Sequence, residues 1–210
     1  MAQFGKARKL DFKEKLTGLF VSQDRVFLDL AQEKGISKAF EFYACLSLLY
    51  AFLLYLLDPI FQMILSGSVL LGLPDIGSGA VALLWVFLLA FLFVASAAVH
   101  LFARLAGARK PYSETFKAIA YGTGPGFLLG WIPFIGIFFF ILPVYLYVKG
   151  LTVMQEISRI RAWFALLMPV LIVTVIIAII AVAIVMSLLT SFSNPFSLFP
   201  SSGNMPWLYS

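Results

Sequence analysis

Lysine and arginine are absent from three long stretches of this 210-residue sequence, residues 39–103, 118–148 and 162–210. All fifteen occur in three blocks, residues 6–38, 104–117 and 149–161. Hydrophobic residues make up 62% of the chain and charged residues 12%, which lies outside the usual range of soluble globular domains. Apolar segments separated by short basic loops are typical of a multi-pass membrane protein whose basic loops stay in the cytoplasm.

Cysteine and histidine occur once each, as Cys45 and His100. A single cysteine excludes an intrachain disulfide and a cysteine-based metal site. A lone histidine with no other ligand at a suitable spacing does not indicate a metal site either. The glycine-rich run 122–126 lacks the Lys-Ser or Lys-Thr of a phosphate loop, so close helix packing or a helix break explains it better. The sequence therefore predicts a non-enzymatic protein without a cofactor.

The apolar stretches predict an all-α, multi-pass helical protein with five transmembrane segments, its N-terminus inside and its C-terminus outside. We expect Asp58-Pro59 to end the first span. Segment 118–148 extends over about 46 Å as helix, whereas two full crossings need roughly 60 Å. It is therefore expected to form either two short or kinked helices joined at 131–136, or a re-entrant hairpin. The expected spans are about 38–57, 80–103, 118–131, 133–148 and 162–189.

Two flanking segments complete the predicted organisation around a membrane domain at 38–190. Residues 1–37 form a basic, amphipathic cytoplasmic arm without the hydrophobic region of a signal peptide, so the first span is expected to direct insertion. Its helices either cover the membrane domain in solvent or lie in the bilayer interface. Residues 191–210 form an external tail rich in Pro, Ser and Phe.

Basic side chains converge on one membrane face, which makes that face the candidate binding surface. These side chains either serve only to set the topology, or they bind anionic lipid headgroups or a cytosolic or membrane protein partner. Nucleic acid is not an expected partner, because the basic residues lie beside membrane spans. Homo-oligomerisation remains open. His100 and Tyr121 are candidate functional polar residues. The candidate binding residues are Arg104, Arg109, Lys110, Lys117, Lys149, Arg159 and Arg161.

The middle of the chain resembles the Yip family of multi-pass membrane proteins. The resemblance lies in four runs that occur in the family's order. They are AVHLFARLAG at 98–107, YSETFKAIAYGTGP at 112–125, WIPFIG at 131–136 and YVKGLTVMQEISRIRA at 147–162. It implies five spans and a cytoplasmic N-terminus. Eukaryotic members are similar to adaptors for Rab-type GTPases in traffic between the endoplasmic reticulum and the Golgi.

The Asp-Leu-Tyr-Gly-Pro motif typical of eukaryotic members is missing, so the chain resembles a prokaryotic member more closely. A prokaryotic origin would place it in the cell membrane, and a eukaryotic origin in the endoplasmic reticulum or Golgi. The sequence predicts a membrane-organising scaffold or adaptor that acts through its basic cytoplasmic face. The alternative is a small-solute transporter or channel-like protein that uses the Gly/Pro-broken hairpin at 118–148.

Overall fold

The computed structural model describes residues 10–66, 78–132 and 135–193, and this part of the chain is helical throughout apart from its connections. The chain divides into two compact units, one ending at Pro169 and one beginning at Val170. The helices are α1 Phe12–Val21, α2 Gln23–Ala31, α3 Ser37–Ser66, α4 Ser78–Leu105, α5 Tyr112–Gly122, α6 Gly124–Leu129, α7 Ile135–Met154 and α8 Arg159–Ser193.

Three helical segments among the described residues are long and apolar enough to cross a membrane: Ser37–Leu57, Gly79–Leu105 and Arg159–Thr190. They coincide with the first, second and last expected spans. The expected spans 118–131 and 133–148 fall on α5, α6 and α7, and Ile141–Met154 of α7 is a shorter apolar helical segment. The all-α prediction is confirmed, while the count of five spans and their orientation stay predictions.

Asp58-Pro59 does not end the first helix, and this prediction was wrong. Helix α3 continues through that dipeptide to Ser66. Proline removes one backbone hydrogen bond from a helix, but a long apolar helix tolerates this loss where the freed groups find other partners.

Segment 118–148 is divided into three helices. Helix α5 begins at Tyr112, before the expected start, and a break at Thr123 separates it from α6. Helix α6 ends at Leu129 and α7 begins at Ile135, so the described residues agree with an interruption at 131–136, of which 133–134 lie outside the described residues. The glycines on both sides of Thr123 allow close packing. A Cβ at Gly122 would lie 2.7 Å from the Tyr147 ring, and one at Gly124 would lie 2.9 Å from the Phe42 ring.

Helix α5 forms the centre of the first unit, where it packs against α2, α3, α4 and α7. All of its residues from Thr115 to Gly122 are buried, so the helix has no polar outer face. The aromatic rings of Phe116 and Tyr121 belong to the hydrophobic core, to which α3, α4 and α7 also contribute. A central helix of this kind is enclosed by protein, which explains how a short, glycine-interrupted segment can occur in an apolar protein.

The arm folds onto this core. Asp11 and Glu14 form a capping box at the start of α1, and Gly18 allows α1 and α2 to approach closely, since a Cβ there would overlap the Val26 side chain. Helix α2 packs against α7, where the Phe27 ring lies against Gly150. Leu19, Val26, Phe27 and Leu30 of the arm are thus buried against protein, and the choice between solvent and the bilayer interface stays a prediction.

The second unit, as far as the structure describes it, is the remainder of α8. Every residue from Val170 to Thr190 is exposed, although an 18-residue window of the span Arg159–Thr190 has a mean hydropathy of 3.2. A helix that is apolar on all sides and uncovered by protein is suited to a lipid environment. The expected tail at 191–210 lies outside the described residues beyond Ser193.

Candidate functional site

The seven basic candidate residues fall into two chemical groups. Each lysine is paired with a carboxylate: Lys110 with Glu156 at 2.9 Å, Lys149 with Asp24 at 2.9 Å and Lys117 with Glu114 at 2.8 Å. The arginines are exposed and form no ion pair with another described residue. They are Arg104, Arg109, Arg159 and Arg161.

Lys117 does not belong to an accessible basic surface, which corrects its assignment as a binding residue. Its side chain is only 1% exposed, because it projects from the central helix α5. The ammonium group donates to the carbonyl oxygens of Leu30, Ala31 and Glu33 at 3.4, 3.2 and 2.9 Å. These carbonyls lie at the C-terminal end of α2, where backbone acceptors lack helical donors and a cation is favourable. Lys117 therefore fastens the arm to the membrane domain.

Glu33 forms the second polar connection between the arm and α5. Its carboxylate accepts a hydrogen bond from the Tyr121 hydroxyl at 2.5 Å and forms an ion pair with the Lys15 ammonium group at 2.7 Å. The Lys15 ammonium also donates to the Tyr121 oxygen at 3.0 Å and lies 5.0 Å from its ring centroid. Tyr121 was expected to be a functional polar residue, and the structure places it, fully buried, in this connection.

Sequence reasoning did not single out Glu33 or Lys15, although a signal was present. Lys15 lies one helical turn before Leu19, on the same side of α1, and Glu33 follows Leu30 at the corresponding spacing. Both charges therefore continue the apolar stripes of their segments. A charge in such a position must be paired when the stripe is buried, which is the arrangement found here.

His100 lies in a separate polar cluster between α4, α5 and the residue that follows α7. Its Nδ1 atom is 2.9 Å from the Thr115 hydroxyl, which also accepts a hydrogen bond from the Gln155 side-chain amide at 2.7 Å. The same amide donates to the Pro111 carbonyl at 3.2 Å, which fixes its orientation, while its own buried oxygen has no hydrogen-bond partner among the described residues. The His100 ring contacts Tyr112 edge-on at 5.7 Å. His100 thus joins three elements at one end of the first unit.

The turn after α4 places Arg161 beside the loop that carries Arg109. Gly107 has a φ of 95°, its amide donates to the Arg104 carbonyl at 3.0 Å, and the Ala108 amide donates to the Ala103 carbonyl at 2.9 Å. This pair of hydrogen bonds is a Schellman motif, which favours glycine at its left-handed position. Nη1 of Arg161 lies 3.3 Å from the position that a Cβ of Gly107 would occupy. The N-terminal end of α8 therefore lies against the C-terminal end of α4.

Two further features of the described residues are relevant to chemistry. No group of three or more His, Cys, Asp and Glu side chains within them could hold a metal ion. An open groove of about 440 Å³ runs along α1 and α2, with Thr17, Val21 and Arg25 among its lining residues. The groove combines charges of both signs with apolar side chains and does not favour one class of ligand.

Comparison with known proteins gives one match. A family model described as the Yip1 domain matches residues 17–182, which includes the arm from helix α1 onward and most of α8. No curated protein and no solved structure matches the chain significantly. The matched range covers well over half of the sequence.

Proposed function

The chain belongs to the Yip1 family, an integral membrane protein family, and from this premise we propose that it is a non-enzymatic scaffold or adaptor that organises membrane components through its basic face. We further propose five spans with the N-terminus in the cytoplasm, because the basic blocks then all lie on one side. Under this topology the arm, the loop at 106–111 and the loop at 155–158 form a single cytoplasmic layer.

One observation supports the proposal: the arm and the two loops are fixed to each other, while Arg104, Arg109, Arg159 and Arg161 are exposed and form no ion pair with another described residue. Lys117 and Glu33 connect the arm to α5, and the ion pair of Lys110 with Glu156 connects the two loops. A layer held in one arrangement presents its remaining charges at constant positions, which reduces the ordering cost of binding a partner. Exposed arginine is also among the residues enriched in protein interfaces.

The packing of the glycine-rich run supports a scaffold over a transporter. Gly122 and Gly124 contact the rings of Tyr147 and Phe42 at distances that leave no room for a side chain. The Thr123 hydroxyl is 2.9 Å from the Tyr147 hydroxyl. These residues therefore pack α5 and α6 tightly against α3 and α7. A substrate pathway along the broken segment would instead require the same residues to line an open cavity.

A comparative capture experiment tests the proposal. The tagged full-length protein is reconstituted in nanodiscs of phosphatidylcholine only and exposed to solubilised host membranes and cytosol. Neutralising Arg104, Arg109 and Arg161 to glutamine should reduce the recovery of specific proteins at least tenfold. The matched control neutralises three exposed cations of the arm, Lys13, Arg25 and Lys34, and removes the same charge.

Two results would contradict the scaffold proposal. One is equal recovery by the wild type and the Arg104, Arg109 and Arg161 variant. The other is equal loss in both triple variants, because that would show a dependence on net charge alone. Far-UV circular dichroism and gel filtration of each variant check that the helical content and particle size are retained.

A further inference from the structure

Three of the exposed arginines, which form no ion pair with another described residue, lie near the turn at Gly107 in sequence or in space. Arg104 lies in the last turn of α4, Arg109 follows the turn, and the Arg161 guanidinium lies over it. The turn itself satisfies the last carbonyl groups of α4 through its own amides, since Ala103 and Arg104 accept the Schellman hydrogen bonds. None of the three arginines forms an ion pair with another described residue, and the nearby Glu156 carboxylate is paired with Lys110 at 2.9 Å, so their guanidinium donors are available to a ligand.

The depth of these arginines relative to the membrane follows from the helix bounds. Arg104 is the penultimate residue of the span Gly79–Leu105, and Arg161 is the third residue of the span Arg159–Thr190. Charged groups at the ends of spans lie at the level of the lipid headgroups. Trp163, partly exposed next to Arg161, is of the residue type enriched at this level.

We propose that Arg104, Arg109 and Arg161 bind the phosphate of one anionic phospholipid headgroup at the cytoplasmic surface. The inference rests on the proposed function, because it names the ligand of the same basic face. Guanidinium groups suit this ligand, since their planar forks bind phosphate oxygens in pairs of hydrogen bonds. The lysines among the candidate residues are less available to a phosphate group, because each already forms an ion pair with a carboxylate.

Arg159 provides a matched control within the same helix. It is exposed and has the same side chain, but it lies two residues from Arg161, and positions two apart do not share a helix face. Only Arg161 is placed against the turn at Gly107. Replacement of Arg159 therefore removes the same charge at the same depth and leaves the proposed site complete.

Lipid binding is measured by native mass spectrometry of the full-length protein in detergent. The probes are phosphatidylglycerol and phosphatidylcholine with identical acyl chains. The wild type should bind one phosphatidylglycerol at least tenfold more tightly than phosphatidylcholine. R161Q should weaken the phosphatidylglycerol complex about fivefold, and the triple variant R104Q/R109Q/R161Q on the order of a hundredfold. R159Q and the triple variant of Lys13, Arg25 and Lys34 should bind it as the wild type does.

Three outcomes would overturn the inference. Equal affinity of the wild type for the two lipids would show that no anionic headgroup is selected. Equal weakening by R159Q and R161Q would show that charge near the membrane suffices. Displacement of the lipid by millimolar inorganic phosphate would assign the arginines to free phosphate rather than to a headgroup.

The lipid assignment and the scaffold function fail separately. The capture experiment uses phosphatidylcholine nanodiscs, which contain no anionic lipid. A capture that depends on the three arginines without phosphatidylglycerol selectivity would retain the scaffold and reject the lipid site. Selectivity without such a capture would do the reverse.

Discussion

Replacement of Lys117 by methionine should strongly destabilise the protein, because this buried lysine binds four acceptor groups at once. Its ammonium group is 2.8 Å from the Glu114 carboxylate and donates to three carbonyls at the end of α2, among them that of Glu33 at 2.9 Å. Methionine keeps most of the apolar stem and removes the charge and all donors. The loss leaves a largely buried carboxylate without its cation and a helix terminus without its cap.

The expected cost is about 3–5 kcal/mol in the free energy of unfolding, the range for breaking a buried ion pair by removing one partner. The measurement is an SDS titration in mixed micelles followed by circular dichroism. Hydrogen exchange of the α2 amides should also accelerate, because the C-terminal end of that helix loses its connection to α5. A second replacement, Glu114→Gln, should recover about 1–3 kcal/mol, since the unpaired carboxylate is then removed.

Lys110→Met is the matched control. The side chain of Lys110 is 44% exposed and its ion pair with Glu156 is accessible to solvent, so its loss should cost less than about 1 kcal/mol. If Lys117→Met lay within about 1 kcal/mol of the wild type, or cost no more than Lys110→Met, the reasoning from burial would be refuted.

Two further replacements test the packing and the polar connection by the same SDS titration. Gly122→Ala places a Cβ 2.7 Å from the Tyr147 ring and should lower the free energy of unfolding by about 1–3 kcal/mol. As a control, a Cβ at Gly79 meets no atom within 4 Å, so Gly79→Ala should be neutral or slightly stabilising. Equal effects of the two replacements would contradict the close packing at Gly122. Tyr121→Phe removes the hydroxyl between Glu33 and its neighbouring ammonium group and should cost about 1.5–3 kcal/mol. A neutral effect of Tyr121→Phe would show that this hydroxyl is dispensable to the arm.

Hydropathy and charge predicted the long helices well because both act locally. An unbroken apolar run predicts a span from its own residues, and helix α4, Ser78–Leu105, begins and ends close to the expected span 80–103. The helix end at Asp58-Pro59 was wrong because the local rule for proline does not decide whether a long helix continues. The glycine run 122–126 indicated close packing or a helix break, but the exact position of the break at Thr123 depends on which rings pack against the neighbouring glycines.

The candidate site was predicted less well, because the role of a cation depends on acceptor groups that are distant in the sequence. Lys117 and Arg109 belong to the same basic block, yet one is buried against α2 and the other is exposed. The residues that bury Lys117 precede it by more than eighty positions, as in its hydrogen bond to the Glu33 carbonyl. No sequence pattern within the block distinguishes the buried Lys117 from the exposed Arg109. The position of Glu33 on an apolar stripe, in contrast, indicated that its charge would be buried and paired.

The basic residues have two different roles, which the positive-inside pattern does not distinguish: some form contacts within the protein and others stay exposed. Lys15 and Lys117 use their charge inside the protein, and Lys149 pairs with the exposed Asp24, so that all three join the arm to the rest of the first unit. Arg104 and Arg161 are exposed near the ends of long apolar helices and form no ion pair with another described residue. Lysine concentrates its charge at one flexible point, which suits a pocket lined by several carbonyls, while arginine offers a planar set of donors that suits phosphate. The binding surface should therefore be sought among the arginines, because the total basic charge overstates its extent.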